Sequence, residues 1–150
     1  MVSKKNKPCL IGMIVEGKEK YAIDGKTIRI ENPARSNELI AEVPRSNVED
    51  VNVAVLSAEK AFQQWKLIPP IERGRAMLKI ADALGSETEN IARIVATETG
   101  NAIKTQSRPE ARNAADVFRY FGGLAGELKG EVVPINEDLL VYNRREPLGV

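Results

Sequence analysis

The stretch LLVYNRREPLGV, from Leu139 to Val150, decides how the rest of the chain is interpreted. It opens with an apolar, β-branched and aromatic run that is typical of a β-strand, and charged residues then interrupt it. Pro147 removes a backbone donor and favours an extended conformation for the preceding Glu146. Leu148–Val150 starts a second apolar run, and the chain stops there. We therefore expect an N-terminal segment of a larger fold, whose hydrophobic partner lies beyond Val150.

The composition excludes chemistry that depends on histidine or on paired cysteines. The chain has 150 residues, of which 43% are hydrophobic and 29% charged, with net charge +1, no histidine and one cysteine. An internal disulfide, histidine acid–base catalysis and Cys/His metal clusters are therefore impossible. Cys9 is interpreted as structural or incidental, because a reactive thiol needs a cation, a base or a helix N-terminus beside it.

Charge and hydropathy predict a cytoplasmic protein that binds neither nucleic acid nor membranes. The near-zero net charge gives no electrostatic reason to bind an anionic polymer or lipid surface. The longest apolar stretch, Cys9–Val15, is much shorter than the roughly 20 residues that span a bilayer. No small-residue cleavage site follows it before Glu16 and Lys18, so a signal peptide is not predicted.

Residues 1–9 are predicted to be a disordered basic tail, followed by β structure. Four apolar clusters separated by turn signals indicate short strands: Leu10–Val15, Tyr21–Ile23, Thr27–Ile30 and Leu39–Val43. Asp24-Gly25 is expected to form a hairpin turn between two of them, because glycine accepts the positive φ of a tight primed turn.

About four helices follow the strands. Ser46 and Glu49 have the spacing of a capping box for the first helix, and Ser86 and Glu89 repeat it for the third. Gly85 is expected to end the second helix, Gly100 the third, and the fourth should begin near Pro109.

The first helix carries one apolar stripe at helical spacing, which predicts a buried face. The stripe consists of Val48, Val51, Val55, Ala58, Phe62 and Trp65. We expect Val51, Val55 and Phe62, together with Met77 of the second helix, in the core.

A series of motifs runs in a fixed order from Ile28 to Val150. They are IRIENPARSNELIAEVP with its Asn32-Pro33 turn, PIERGR at 70–75, TETG at 97–100, ADVFRYF at 115–121, GEVVP at 130–134 and RREPLGV at 144–150. In this order and at this spacing they resemble the N-terminal region of the aldehyde dehydrogenase family. The subgroup stays open, with the betaine aldehyde dehydrogenases as one candidate.

The resemblance implies an α+β fragment of the α/β aldehyde dehydrogenase fold, with an N-terminal β hairpin region, about four helices and one oligomerisation strand arm. Residues 10–130 would form the N-terminal part of the NAD-binding domain. Residues 131–150 would form the arm and the start of the first cofactor-sheet strand. Residues 131–145 are expected to join protomers of a homo-oligomer.

The resemblance also implies that the complete enzyme oxidises an aldehyde to its carboxylic acid with NAD or NADP. The family uses a cysteine nucleophile and a glutamate general base, and by resemblance these and the cofactor site lie beyond Val150. We therefore expect no catalytic and no cofactor-binding residue in this chain, no cofactor bound to it, and no activity of the chain alone. A non-catalytic oligomerisation or interaction module, or an unrelated helical domain, is the alternative.

Glu98 is either a solvated helix end or, by resemblance, part of a monovalent cation site. Some aldehyde dehydrogenases hold such a cation with the acidic residue of a Glu/Asp-Thr-Gly motif and with the backbone just before the Asn-Pro turn. Those positions are Glu98, Ile30 and Glu31 here, and oxygen ligands suit a hard cation. Many relatives have Asp at the position of Glu98, so the longer side chain alters the geometry.

Two further clusters are not interpreted as ligand-binding sites. Gly122–Gly126 follows a predicted helix, whereas a phosphate-binding loop follows a strand and opens a helix. Arg144 and Arg145 could bind an anion, but a basic pair beside a strand is more often solvated or part of an interface, and we favour that interpretation.

Overall fold

The structure is a computed structural model that describes residues 9–35 and 37–150. Over these residues the strands are β1 (Cys9–Leu10), β2 (Met13–Val15), β3 (Lys18–Lys20), β4 (Thr27–Glu31), β5 (Leu39–Pro44), β6 (Val132–Asn136) and β7 (Leu139–Tyr142). The helices are α1 (Val48–Trp65), α2 (Pro70–Ser86), α3 (Thr88–Thr99) and α4 (Arg108–Leu124), with a π-helical turn at Ile103–Ser107 before α4. The predicted α+β class is confirmed. The predicted tail falls on residues 1–8, outside the described residues, and on Cys9, which is in β1.

A three-stranded sheet in the order β1–β5–β4 forms the N-terminal layer. β4 and β5 are antiparallel and join through the Asn32-Pro33 turn, as predicted, whereas β1 runs parallel to β5. Asn32 organises the turn: its side-chain oxygen accepts from the N–H of Ala34 at 2.9 Å, and its own N–H donates to the Glu38 carbonyl at 2.9 Å.

The first hairpin turn is at Glu16-Gly17 and not, as predicted, at Asp24-Gly25. β2 and β3 pair antiparallel across Glu16-Gly17. The φ angles of these two residues are 56° and 71°, the left-handed values of a primed hairpin turn. Gly25 also has a positive φ, but Tyr21–Ile23 forms no strand. Instead, the N–H of Ile23 donates to a helix residue, Asp50 Oδ1, at 2.9 Å.

α1 begins one residue later than predicted. Asn47, not Ser46, is the N-cap: its side chain accepts from the N–H groups of Glu49 and Asp50, and the Asp50 carboxylate accepts from the Asn47 N–H. The predicted capping box therefore exists with different members. Asparagine caps helices as well as serine does, so two overlapping signals compete here.

α2 and α3 meet with almost no linker. α2 continues through Gly85 to Ser86, and Glu87 alone separates it from α3. Ser86 Oγ donates back to the Ala83 carbonyl at 2.7 Å and does not cap α3, so the predicted stop and cap at this point are wrong. The predicted end of α3 is confirmed, because Gly100 has the left-handed φ of 76°.

Small residues form the core between the helices. The buried hydrophobic side chains that the structure describes on the helices are alanines: Ala81, Ala92, Ala111 and Ala115. α2 and α4 approach closely at Gly74 and Gly122, since a Cβ on Gly74 would lie 2.5 Å from the Gly122 carbonyl oxygen. Glycine and alanine therefore set the spacing of α2 and α4.

The apolar stripe of α1 is mostly exposed, contrary to prediction. Val51 and Val55 are 51% and 48% exposed, whereas Phe62 and Met77 are half-buried. α2 and α3 both pack on α4, and α1 is not enclosed by these helices. Residues 148–150 border cavities on this stripe, so the apolar face of α1 is only partly exposed to solvent.

The predicted arm is a hairpin of two strands. β6 and β7 pair antiparallel, with Val133 opposite Val141, and Glu137-Asp138 lies at the turn. Its apolar side chains are largely solvent-exposed, and Leu140 is 78% exposed. Among the helices of the described residues, none has the length and apolar character needed to cross a membrane.

Candidate functional site

The predicted cation positions Ile30 and Glu31 lie at the end of β4, where the sheet is irregular. The β4–β5 register shifts between these two residues, so the local backbone departs from a regular ladder. The Glu31 carboxylate accepts from Arg29 Nε at 3.3 Å. The side chains of Arg29 and Glu31 are both exposed, and an exposed ion pair contributes little to stability.

The end of α3 contacts the turn that follows β4. A Cβ on Gly100 would lie 3.0 Å from Pro33 Cγ, and this approach adds to the glycine requirement of the positive φ. Glu98 lies two residues earlier, in the last turn of α3, and is exposed. The structure therefore brings together the two segments that carry Ile30, Glu31 and Glu98.

A cavity of about 430 Å³ lies beside this contact, between the β4–β5 turn and α3. Its polar lining includes Asn32, Arg35, Glu38, Arg93, Thr97 and Asn101. The Glu38 carboxylate is already engaged, since it accepts from Asn32 Nδ2 at 2.9 Å and lies 3.6 Å from Arg35 Nη1. None of the three predicted cation residues lines this cavity. Within residues 9–35 and 37–150, no group of three or more His, Cys, Asp or Glu side chains could hold a metal ion.

The glycine-rich segment Gly122–Gly126 ends α4 and packs on α2. A Cβ on Gly122 would lie 3.1 Å from the Gly74 carbonyl oxygen, and one on Gly126 would lie 3.6 Å from Ile71 Cγ1. α4 itself ends at Leu124. The segment follows a helix and does not open one, so its backbone N–H groups do not form a cradle for a phosphate.

Asp50 joins the loop between β3 and β4 to the start of α1, a role that the sequence did not predict. The residue is 3% exposed. Its Oδ1 accepts from the Ile23 N–H and its Oδ2 from the Asn47 N–H, both at 2.9 Å. The sequence does carry a signal for the cap, because Asp50 follows Asn47 by three residues at the start of an apolar stripe. It carries no signal for the long-range hydrogen bond to Ile23.

An ion pair fixes the start of α4 to α3. Arg108 Nε and Nη2 donate to the two carboxylate oxygens of Glu89 at 2.5 and 3.0 Å. This hydrogen bonding lowers the pKa of Glu89 and raises the pKa of Arg108 from their ordinary values. Because the carboxyl pKa is lowered, the pair stabilises the fold above the ordinary Glu pKa, and its contribution is lost as the pH falls through the lowered value.

The family profile described as "Aldehyde dehydrogenase family" matches residues 21–150 of this chain. The chain belongs to the aldehyde dehydrogenase family. An aldehyde dehydrogenase from Aspergillus niger is 34% identical over 141 residues, which make up 93% of this chain and 28% of that protein. The chain thus spans a little more than a quarter of the length of this relative.

Solved aldehyde dehydrogenase structures share the fold. The NAD-dependent enzyme from Sinorhizobium meliloti is 34% identical with a TM-score of 0.83, over 87% of this chain and 26% of that one. The NAD⁺ complex of the Bacillus cereus enzyme is 30% identical with a TM-score of 0.87, over 92% of this chain and 28% of that one. The α+β arrangement of strands and helices is therefore that of part of an aldehyde dehydrogenase.

Cys9 lies outside the segment that matches the aldehyde dehydrogenase family. It pairs with Ala41 of β5 as part of β1, twelve positions before residue 21, where the family match begins. Arg144 and Arg145 lie within the matched segment, after β7, and line a different cavity from the one beside α3.

Proposed function

We propose that the chain is the N-terminal part of an NAD(P)-dependent aldehyde dehydrogenase that oxidises an aldehyde to its carboxylic acid in the cytoplasm. The observation that carries this proposal is the family match over residues 21–150. The NAD⁺ complex of the Bacillus cereus relative, with the same fold at a TM-score of 0.87, supports a nicotinamide cofactor for the complete enzyme. The test is to transplant residues 21–150 into that relative, in place of the matching segment, and to measure NADH formation.

We assign two roles to this part of the enzyme: α1 covers the cofactor sheet, and residues 131–145 join protomers. The exposed stripe on α1 is apolar over its whole length and needs a partner layer to be removed from water. Leu148 and Val150, the start of the second apolar run, border cavities together with Val55 and Phe62 of α1. This placement supports α1 as the helix that covers the strand starting at Leu148, the first strand of the cofactor sheet.

We assign no dinucleotide contacts to this chain, because its glycine-rich segment has the wrong place in the fold. A pyrophosphate site needs a strand that leads through glycines into a helix N-terminus, and the glycine-rich segment of this chain has the opposite order. The proposal therefore assigns the cofactor contacts, the nucleophilic thiolate and the general base to residues outside this chain. This chain would contribute the packed layer that lies behind those catalytic and cofactor-binding residues, holds them in position and excludes water.

A monovalent cation held by Ile30, Glu31 and Glu98 remains part of the proposal. The contact between Gly100 and Pro33 supports it, because it places the end of α3 next to the turn after β4. Binding to the folded state alone would raise stability by mass action. We expect the melting temperature to be higher in potassium chloride than in tetramethylammonium chloride of equal ionic strength.

The Glu98→Gln variant should lose this potassium-specific difference. Glu127→Gln is the matched control, because it also removes an exposed carboxylate. Glu127 pairs with Lys129 and is far along the chain from the proposed cation residues. If Glu98→Gln keeps the full difference, the cation site is not at Glu98.

Self-association through residues 131–145 is also part of the proposal. An isolated two-stranded hairpin is marginally stable in water and offers unpaired backbone groups along its edges, which favour pairing with another chain. The apolar side chains of β6 and β7 are exposed, as the interface of a homo-oligomer requires before assembly. The alternative of a non-catalytic interaction module is favoured by this same hairpin, and it differs in predicting association without any enzymatic role.

Leu140→Lys should shift the chain from oligomer to monomer, because it places a charge in the middle of the hairpin surface. Light scattering at several concentrations measures the effect. Leu128→Lys, at a position that is 74% exposed outside the hairpin, controls for added charge and should leave the oligomer intact. A wild-type chain that stays monomeric at high concentration would contradict the proposed interface.

A further inference from the structure

Three arginines lie around the Glu89 carboxylate where α3 and α4 begin. Arg108, the first residue of α4, donates through Nε and Nη2 to both carboxylate oxygens of Glu89, in the first turn of α3. Arg93 follows Glu89 by four residues and Arg112 follows Arg108 by four, so each lies on the same helix face as a member of the ion pair. Side chains of an α-helix tilt towards its N-terminus, which directs both guanidinium groups to the pair.

The electrostatics of Glu89 confirm that the further arginines are near. The hydrogen bonds from Arg108 lower the pKa of Glu89, and the positive charges of Arg108, Arg112 and Arg93 lower it further. A charge on the protein surface has this effect only at short range, because solvent and salt screen more distant charges. α3 and α4 therefore bring three guanidinium groups to one carboxylate, and the cluster carries an excess of two positive charges.

Arg93 and Arg112 are the members of the cluster with free donors. Both are exposed, and neither side chain forms an ion pair or a hydrogen bond within residues 9–35 and 37–150. Each guanidinium has five N–H donors and always carries its charge. Arg108 is different, since Glu89 already engages it in a two-pronged contact.

The other acidic residues near the start of α4 do not neutralise the cluster. Glu110 follows Arg108 by only two residues, so it does not share a helix face with it. Asp116 follows Arg112 by four residues, but its carboxylate accepts from Arg119 Nη1 at 3.1 Å. The two excess positive charges therefore stay available at the surface of α3 and α4.

We propose that Arg93 and Arg112 bind a phosphate dianion, either inorganic phosphate or a small phosphate monoester, next to the Glu89–Arg108 pair. The two negative charges of the ligand match the two excess positive charges, and guanidinium groups bind phosphate oxygens through paired N–H donors. The starts of α3 and α4 have no side-chain cap and add positive partial charge on the same side. A monocarboxylate would leave one of the two positive charges unmatched.

The surroundings of Arg93 leave room for the organic part of a phosphate monoester. Arg93 also borders the cavity of about 430 Å³ beside α3, together with Thr97 and Asn101. Hydroxyl and amide groups of this kind suit a small polar body, such as a polyol, better than an apolar one.

This phosphate site is independent of the proposed dehydrogenase activity. Neither Arg93 nor Arg112 belongs to the proposed cation residues, to the β6–β7 hairpin or to the apolar face of α1. Phosphate binding is measured on the chain without NAD⁺ and without an aldehyde, so its failure would leave the proposed function standing.

Isothermal titration with sodium phosphate tests the proposal, in sodium chloride of constant ionic strength and at about pH 8, well above the second pKa of a phosphate group. We expect saturable binding of one phosphate per chain. The affinity should be about tenfold weaker in Arg112→Gln and in Arg93→Gln, the effect of losing one charge-assisted contact. Both arginines are exposed and unpaired within the described part of the chain, so both variants are expected to fold normally.

Arg75→Gln is the matched control for the loss of one charge. Arg75 is an exposed arginine of α2 that pairs with Glu72, so its substitution should leave phosphate binding unchanged. Glu89→Gln should instead bind phosphate more tightly, because it removes the negative charge within the cluster and releases Arg108. Circular dichroism checks that this variant is folded, and the two arginine variants decide the question if it is not.

Glycerol phosphate as a second ligand distinguishes the two sources of the dianion. Tighter binding than that of inorganic phosphate assigns the site to a phosphate monoester, and equal or weaker binding assigns it to free phosphate. Three results would each overturn the proposal: no saturable phosphate binding, equal affinities of the wild type and both arginine variants, or weaker binding in a folded Glu89→Gln variant.

Discussion

Gly74→Ala should destabilise the chain by about 3 kcal/mol, although alanine is the better helix former. The added methyl group would lie 2.5 Å from the Gly122 carbonyl oxygen and 2.8 Å from Ala125 Cβ, so α2 and α4 must move apart. The two helices meet through small residues, and buried Ala81 and Ala115 lose contact when they separate. Urea unfolding followed by circular dichroism measures the change.

Gly85→Ala is the matched control on the same helix. No heavy atom lies within 4 Å of a Cβ built there, so the substitution should stabilise by roughly 0.5–1 kcal/mol through helix propensity alone. Opposite signs for the two substitutions are the expected result. If Gly74→Ala stabilised the chain as Gly85→Ala does, the close approach of α2 and α4 would be wrong.

Asp50→Ala should cost about 3 kcal/mol, the second large effect. The variant keeps Asn47 as the N-cap but loses the acceptor of the Asn47 N–H, and it leaves the backbone N–H of Ile23 without its acceptor in a partly buried place. An unsatisfied buried donor costs more than the hydrogen bond itself contributes. The measurement is again the free energy of unfolding, and amide hydrogen exchange at Ile23 should become faster.

Glu49→Ala serves as the control for Asp50→Ala. Glu49 is also in the first turn of α1, where a carboxylate stabilises the helix through the dipole by about 0.3–1 kcal/mol, but it is exposed. Equal costs for the two substitutions, together with slow amide exchange at Ile23 in Asp50→Ala, would contradict the role of Asp50.

Local patterns in the sequence predicted the helices and the β4–β5 hairpin well. Helical spacing, Asn32-Pro33 and Gly100 each act within a few residues, so their consequences can be read from the sequence alone. The errors in the boundaries have the same local origin. Asn47 competes with Ser46 as a cap, and Glu16-Gly17 provides a hairpin turn that the Asp24-Gly25 signal obscured.

Long-range features could not be predicted from periodicity. The stripe of α1 correctly indicates an apolar face, but periodicity does not say what covers that face, and Val51 and Val55 remain exposed. The bond between Ile23 and Asp50 spans 27 residues and leaves no sequence signal.

NADH formation tests the central claim most directly, that this chain is part of an NAD(P)-dependent aldehyde dehydrogenase. We predict that a chimera of the Bacillus cereus relative, with residues 21–150 of this chain in place of its matching segment, forms NADH from NAD⁺ and an aldehyde. The isolated chain should form none and should show no measurable NAD⁺ affinity. A folded, oligomeric chimera without NAD⁺ binding would contradict the claim, and so would aldehyde oxidation by the isolated chain that is lost in Cys9→Ala.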